Sequence, residues 1–162
     1  MMKLVVATIL LAATLASASP AGSTDQSCTS DNTECRCRNV ITVRDKPALI
    51  AAAQECVDRQ GINTKVLPGR FWLLPDIAKN CALLKAAEAK KLTDSEGVPD
   101  VPAMTTYLRD VIDAEGANDV TKAQADAIVN DIGRCASQVT GTEKALSFYS
   151  CLLSSCQEAL KA

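Results

Sequence analysis

Eight cysteines and no histidine set the side-chain chemistry open to this 162-residue chain. Without an imidazole there is no Ser-His or Cys-His pair to make a nucleophile, and a principal ligand for zinc is missing too. No pair of CxxC knuckles occurs, so the thiols do not read as a metal centre. The acids Asp110, Asp113, Glu115, Asp126 and Asp131 fall mostly on helix faces that should be exposed, with no converging pair for general acid-base work. We therefore expect a protein that is not an enzyme, with no metal and no cofactor. An even number of cysteines is, in an oxidising compartment, a disulfide framework.

The compartment is suggested by the first residues. Lys3, an apolar run from Leu4 to Leu15 and the small residues Ala16-Ser17-Ala18 make residues 1–18 a secretory signal peptide. That run is too short for a membrane span, which takes about 20 residues, and no later stretch is long enough. Removing the segment takes Lys3 and no acid, which moves the net charge from −2 to −3. Such a balance suits a secreted, extracellular protein and supplies no basic stripe for nucleic acid. The 144 residues that follow Ala18 are enough for one domain with a real core, and they hold no Asn-x-Ser/Thr sequon.

Spacing divides the cysteines into groups. Cys28, Cys35 and Cys37 crowd into "CTSDNTECRC", a polar stretch that reads as an irregular, disulfide-pinned extension over residues 19–44. One residue separates Cys35 from Cys37, too little for an easy mutual bond, so each needs another partner. Cys151 and Cys156 lie five residues apart in the helical pattern "TEKALSFYSCLLSSCQEAL". At about 100° per residue they point about 140° apart, so the helix is tied on two sides. Eight cysteines allow 105 pairings, and spacing alone does not choose among them.

The elements that carry these residues are helices, over residues 45–162. "RDKPALIAAAQECVDRQG" has Asp45 as a cap, Pro47 in the first turn, an apolar face of Leu49, Ala52, Ala53 and Cys56, and Gly61 at the end. "PDIAKNCALLKAAEAKKL" puts Ile77, Cys81, Leu84 and Ala87 or Glu88 at helical spacing. "VPAMTTYLRDVIDAEG" stops at Gly116, and "TKAQADAIVNDIGRCA" opens with a capping box of Thr121 and Gln124. The last helix is expected to start with Thr142 as its cap. A further short helix is expected near residues 62–67, and residues 67–75, 93–102 and 137–141 read as loops. The fold class is an all-α, disulfide-stapled bundle of five to six helices.

Stapled by disulfides, such a bundle can keep an apolar cavity without a perfectly filled core. Its faces are rich in Ala, Val, Ile and Leu and poor in rings, which leaves room. Candidates for the cavity wall are Phe71, Trp72, Leu73 and Leu74, then Met104, Leu108 and Val111 at helical spacing, and Phe148 and Leu152 on the last helix. Each also reads as plain core. Tyr107 and Tyr149 carry hydroxyls that can fix a ligand's oxygen, and Arg70 is placed to meet a carboxylate or to stand in solvent. The expected partner is a small hydrophobic molecule; nothing specifies a receptor or a homodimer.

From Ala48 to Leu160 the order of features resembles the insect odorant-binding proteins. "AAQECVDRQGI" is similar to that family's first-cysteine helix, "PDIAKNCALLKAAEAKKLTDSEGVPD" to its central helix and acidic turn, and "IGRCASQVTGTEKALSFYSCL" to its closing pattern. Two family cysteines are absent: Lys85, with three residues between it and Cys81, stands in place of one, and Thr142 in place of the other. The resemblance implies a six-helix secreted carrier of odorant, pheromone or lipid-like molecules. It also implies the bonds Cys56–Cys81 and Cys135–Cys151, with Cys151 facing inward. Cys28, Cys35, Cys37 and Cys156 fall outside the family pattern, so the extension would be stapled to itself and, through Cys156, to the last helix.

A second resemblance is to the fungal CFEM domain. "CTSDNTECRCRN" followed by "ALIAAAQECV" is similar to its second half, and would imply a haem-binding protein with Asp31 as the iron ligand. A third reading keeps the helical fold with a closed core, as a secreted structural or interaction protein.

Overall fold

A computed structural model describes residues 28–162 apart from 30, 43–45 and 114–119. The expected signal peptide, residues 19–27 of the extension, the cap at Asp45, Glu115 and the stop at Gly116 lie outside the described residues. The described chain is all-helical: α1 (Thr33–Thr42), α2 (Lys46–Arg59), α3 (Asp76–Ala89), α4 (Val101–Val111), α5 (Lys122–Asn130), α6 (Ile132–Ser137) and α7 (Lys144–Lys161), with a 3₁₀ segment at Pro68–Leu73. No helix among the described residues is long and apolar enough to cross a membrane.

Local chemistry accounts for most of the boundaries. In α2, Leu49, Ala53, Cys56 and Val57 are buried at helical spacing, and Gly61 at φ +68° ends the helix while Ile62 N–H donates back to the Val57 carbonyl. Asp100 caps α4 by accepting from Ala103 N–H at 3.0 Å. The expected capping box of Thr121 and Gln124 is formed at the start of α5.

Several expectations are corrected. "TECRCRNVIT", read as irregular, is α1; its polar composition hides a buried face of Cys37 and Val40. The short helix expected at 62–67 is displaced to Pro68–Leu73, inside a stretch read as loop, where Pro68 opens the 3₁₀ turn. Helix α3 buries Ala78 and Ala82 rather than the face through Ile77, which is 60% exposed. The single helix expected from Thr121 to Ala136 breaks at Asp131 into α5 and α6. Thr142 does not cap α7; Glu143 occupies that position.

Two apolar clusters make up the interior. One holds α2, α3 and the 3₁₀ segment through Leu49, Ala53, Val57, Phe71, Ala78 and Ala82. The other gathers α1 and α4–α7 around Ile128, Ile132, Phe148 and Leu152. Helix α7 packs against α1, α3, α5 and α6, so it belongs to one cluster and touches the other.

All eight cysteines are paired, as Cys28–Cys35, Cys37–Cys156, Cys56–Cys81 and Cys135–Cys151, with Cα atoms 5.5–6.0 Å apart. The two bonds implied by the family resemblance are present, and the extension is bonded once to itself and once to α7. Burial of the α7 cysteines is the reverse of the expected order: Cys156 is fully buried against α1, whereas Cys151 is only half-buried. Each bond stays on its own side of the molecule. Cys56–Cys81 staples the first cluster, Cys37–Cys156 and Cys135–Cys151 the second, and none crosses the seam between them.

Candidate functional site

At that seam lies an apolar pocket of about 90 Å³. Leu49 of α2 and Leu83, Ala86 and Ala87 of α3 form one side. Met104, Tyr107 and Leu108 of α4, Ile132 of α6, and Ala145, Phe148, Tyr149 and Leu152 of α7 form the other, with Ile41 of α1 completing that wall. The turn after α3 closes the remainder through Leu92, Thr93, Gly97 and Pro99.

That turn is held by its own hydrogen bonds. The Asp94 carboxylate accepts from the N–H groups of Glu96 and Val98 at 2.8 and 2.9 Å, and Thr93 and Pro99 form an isolated antiparallel bridge. Gly97 sits at φ +75°, and a Cβ there would come within 3.0 Å of Leu84 Cδ1. Glycine is thus required by the backbone, and a Cβ would also press on the end of the Leu84 side chain on α3.

Six of the residues singled out in the sequence meet in this wall: Met104, Tyr107, Leu108, Phe148, Tyr149 and Leu152. The others go elsewhere. Phe71 is core between α2 and α3, Leu74 packs half-buried on the same cluster, and Val111 is fully buried without lining the pocket. Trp72 forms a second layer, stacked on Tyr149 with ring centroids 4.8 Å apart and meeting Phe71 edge-on at 4.5 Å. Leu73 is 79% exposed, and Arg70 is exposed on the 3₁₀ segment. Leu49 and the α3 side were missed as wall residues. Leu83, Ala86 and Ala87 do recur at helical spacing, but alanine is too common on helices for that pattern to single out a cavity.

Polar atoms are few in the wall. Among the described residues no charged side chain lines the pocket. The Tyr149 hydroxyl and Thr93 Oγ1 are buried, and neither has a hydrogen-bond partner among the described residues. Burial pushes the Tyr149 hydroxyl well above its ordinary ionisation range; Arg38 opposes this weakly and Glu34 reinforces it. Tyr149 is therefore a neutral phenol at any physiological pH. Tyr107 is half-buried, with Lys90 Nζ 5.2 Å from its ring centroid.

Two of the acids, Asp126 and Asp131, are engaged in ion pairs away from the pocket. Asp126 meets Arg109 at 2.7 Å and Lys122 at 3.1 Å, and Asp131 meets Arg134 at 2.7 Å. Lys85 pairs with Glu55 on α2, whereas the Thr142 carbonyl accepts from Asn80 Nδ2 at 3.4 Å. The two positions where the resemblance lacks cysteines therefore face different helices. Asp31 is exposed in the turn before α1, and Cys56 is bonded to α3, outside the N-terminal cysteine cluster. Among the described residues no group of three or more Cys, Asp or Glu side chains is arranged to hold a metal ion.

No protein-family model, curated protein or solved structure matches this chain.

Proposed function

We propose that the protein is a secreted carrier that holds a small hydrophobic molecule in the seam pocket without reacting with it. One observation carries this reading: the two cores meet at an apolar pocket instead of merging, with a wall drawn from six helices and a turn. The wall has the composition of a ligand site, carbon with a few polar atoms, and Met104 supplies an adaptable side chain.

Its volume of about 90 Å³ falls below the roughly 300–1,000 Å³ of drug-sized ligand sites, and below the cavity of about 150 Å³ that takes up benzene. A ligand of more than a few carbons must therefore separate the halves, which no disulfide opposes. The four disulfides suit an oxidising compartment, and with the leader-like residues 1–18 they support secretion. The order of features shared with odorant-binding proteins, and the two disulfides it implied, support membership of that group. The bond of Cys56 to Cys81 leaves Cys56 outside the N-terminal cysteine cluster, which favours the carrier over the haem-binding alternative.

Uptake of an environment-sensitive apolar dye, N-phenyl-1-naphthylamine, tests the carrier reading. Saturable enhancement of its emission, reversed by short alcohols or ketones, is the expected outcome. Absence of uptake between pH 5 and pH 8 would leave a closed-core structural or interaction protein as the better account.

A further inference from the structure

Three large apolar side chains stand exposed among the described residues, and all fall within one short stretch: Leu67, Leu73 and Ile77, at 41, 79 and 60% exposure. A single exposed leucine is ordinary, whereas an exposed apolar cluster marks a surface that meets something other than water. The 3₁₀ geometry accounts for the grouping. Three residues per turn put Leu67, Arg70 and Leu73 in one row, all exposed, and Phe71 and Leu74 in another, which packs on the core of α2 and α3. Ile77 follows four residues after Leu73, in the first turn of α3.

The exposed row is anchored through its opposite side. Phe71 is buried, Trp72 stacks on Tyr149, and the Arg70 and Leu74 N–H groups donate to the Leu67 and Phe71 carbonyls at 2.9 and 3.1 Å. The fold thus holds aliphatic carbon in solvent on a segment whose backbone is fixed.

Charge on the same stretch is positive, against a net −2 for the chain. Between residues 62 and 80 the charged side chains are Lys65, Arg70, Asp76 and Lys79, and the last two pair with each other at 2.7 Å. Lys65 and Arg70 are exposed and enter no ion pair among the described residues. The three apolar side chains offer on the order of a few hundred Å² of carbon, well short of the roughly 800 Å² per partner of a standard protein interface, and they are aliphatic where such interfaces favour Trp and Tyr. A lipid surface needs no such area: a few carbons below the headgroups, with cations at headgroup level, give weak and reversible attachment.

We propose that this row is a peripheral docking site for an anionic lipid membrane, with Leu73 and Ile77 entering the acyl boundary and Lys65 and Arg70 at the level of the phosphates. Attachment of this kind requires nothing of the pocket and holds whether or not the protein is a carrier.

Co-sedimentation of the secreted, disulfide-bonded protein with vesicles of phosphatidylcholine, alone or with about 30% phosphatidylglycerol, tests this. Binding to the anionic vesicles is expected to be at least fivefold stronger than to the neutral ones, and to weaken as sodium chloride is raised. Leu73→Ser/Ile77→Ser should bind at least tenfold more weakly with its urea midpoint unchanged, since the carbon it removes already lies in water. Lys65→Gln/Arg70→Gln should lose the preference for phosphatidylglycerol. Absence of binding to either vesicle, equal binding to both, or undiminished binding by the serine variant overturns the proposal. A wild-type dimer that the serine variant dissociates, seen by light scattering without vesicle binding, overturns it too and assigns the row to a second copy of the chain.

Discussion

Trp72 and Tyr149 stack with their planes 22° from parallel, which places the chain's only tryptophan directly behind a residue of the pocket wall. Occupancy of the pocket should therefore be visible in intrinsic fluorescence. We expect a saturable change in tryptophan emission during ligand titration, with the midpoint found by dye displacement. Trp72→Phe should abolish that signal while leaving the displacement curve in place. Displacement with constant tryptophan emission would mean that ligand does not disturb the stack.

Asn80 caps a helix to which it does not belong. Glu143, the N-cap of α7, makes no side-chain capping bond; instead the Leu146 N–H, the third of the helix, donates to Asn80 Oδ1 of α3 at 3.0 Å. That N–H is one of those a capping side chain normally satisfies. Asn80→Ala should cost about 1–2 kcal/mol in urea unfolding, the usual cost of a lost cap. Asn80→Asp keeps the acceptor and adds a favourable charge at the helix start, so it should unfold near the wild-type midpoint. Because this bond also spans the seam, the alanine variant should release ligand faster. An unchanged midpoint for Asn80→Ala would show that water replaces the cap at no cost.

Much of this architecture is legible in the chain, for definite reasons. The α2 face and the Thr121 capping box are local signals, and both are found as read. Asn80 is invisible from sequence because its partner lies 66 residues away. Helix α1 was hidden because it is polar on most sides and is held by Cys37–Cys156 rather than by an apolar stripe. The α7 contribution to the pocket was foreseeable, since Phe148 and Leu152 repeat at helical spacing. The α3 contribution was not, because small residues lining a gap look like small residues filling one. Trp72, chosen as a wall residue, shows the converse limit: composition identifies an aromatic anchor, while only packing says whether it touches the space or backs the residue that does.

The disulfides should differ in weight according to the chain they enclose. Cys37 and Cys156 are 119 residues apart and fully buried, whereas Cys28 and Cys35 are separated by seven. Loop-closure entropy assigns about 5 kcal/mol to the first and about 2 kcal/mol to the second. Paired alanine substitution of Cys37 and Cys156 should therefore lower the unfolding midpoint far more than the same change at Cys28 and Cys35. Equal losses would place the stabilisation in local contacts rather than in restriction of the unfolded chain.

Acid should loosen the molecule through its surface pairs. Lys85 beside Glu55, Arg109 beside Asp126 and Arg134 beside Asp131 each hold a carboxyl below its ordinary range. A carboxyl depressed in the folded state contributes stability that is present above its unfolded pKa and lost as pH falls through its folded one. Urea midpoints should hold down to about pH 4 and decline below it. Arg109→Met and Arg134→Met should each flatten that decline, modestly, since exposed pairs are screened by solvent. A slope unchanged in both variants would assign acid lability to other carboxyls.

Tyr149 and Thr93 should show the cost of burying a hydroxyl without a partner. A buried hydroxyl without a partner destabilises by about 1–3 kcal/mol, and replacing it by an isostere that lacks the oxygen recovers part of that. Tyr149→Phe and Thr93→Val are therefore expected to leave the ligand-free protein as stable as wild type or more so, by up to about 1 kcal/mol. Alkali gives a second readout. A tyrosine whose ionisation is pushed up by folding contributes stability that is complete below its unfolded pKa, near 10, and is lost as pH rises through its folded value. Wild type should thus lose stability above about pH 10 more steeply than Tyr149→Phe. Loss of 1 kcal/mol or more in both ligand-free variants would instead mean that the two hydroxyls support the fold, and that the pocket is closed around them by design of the core.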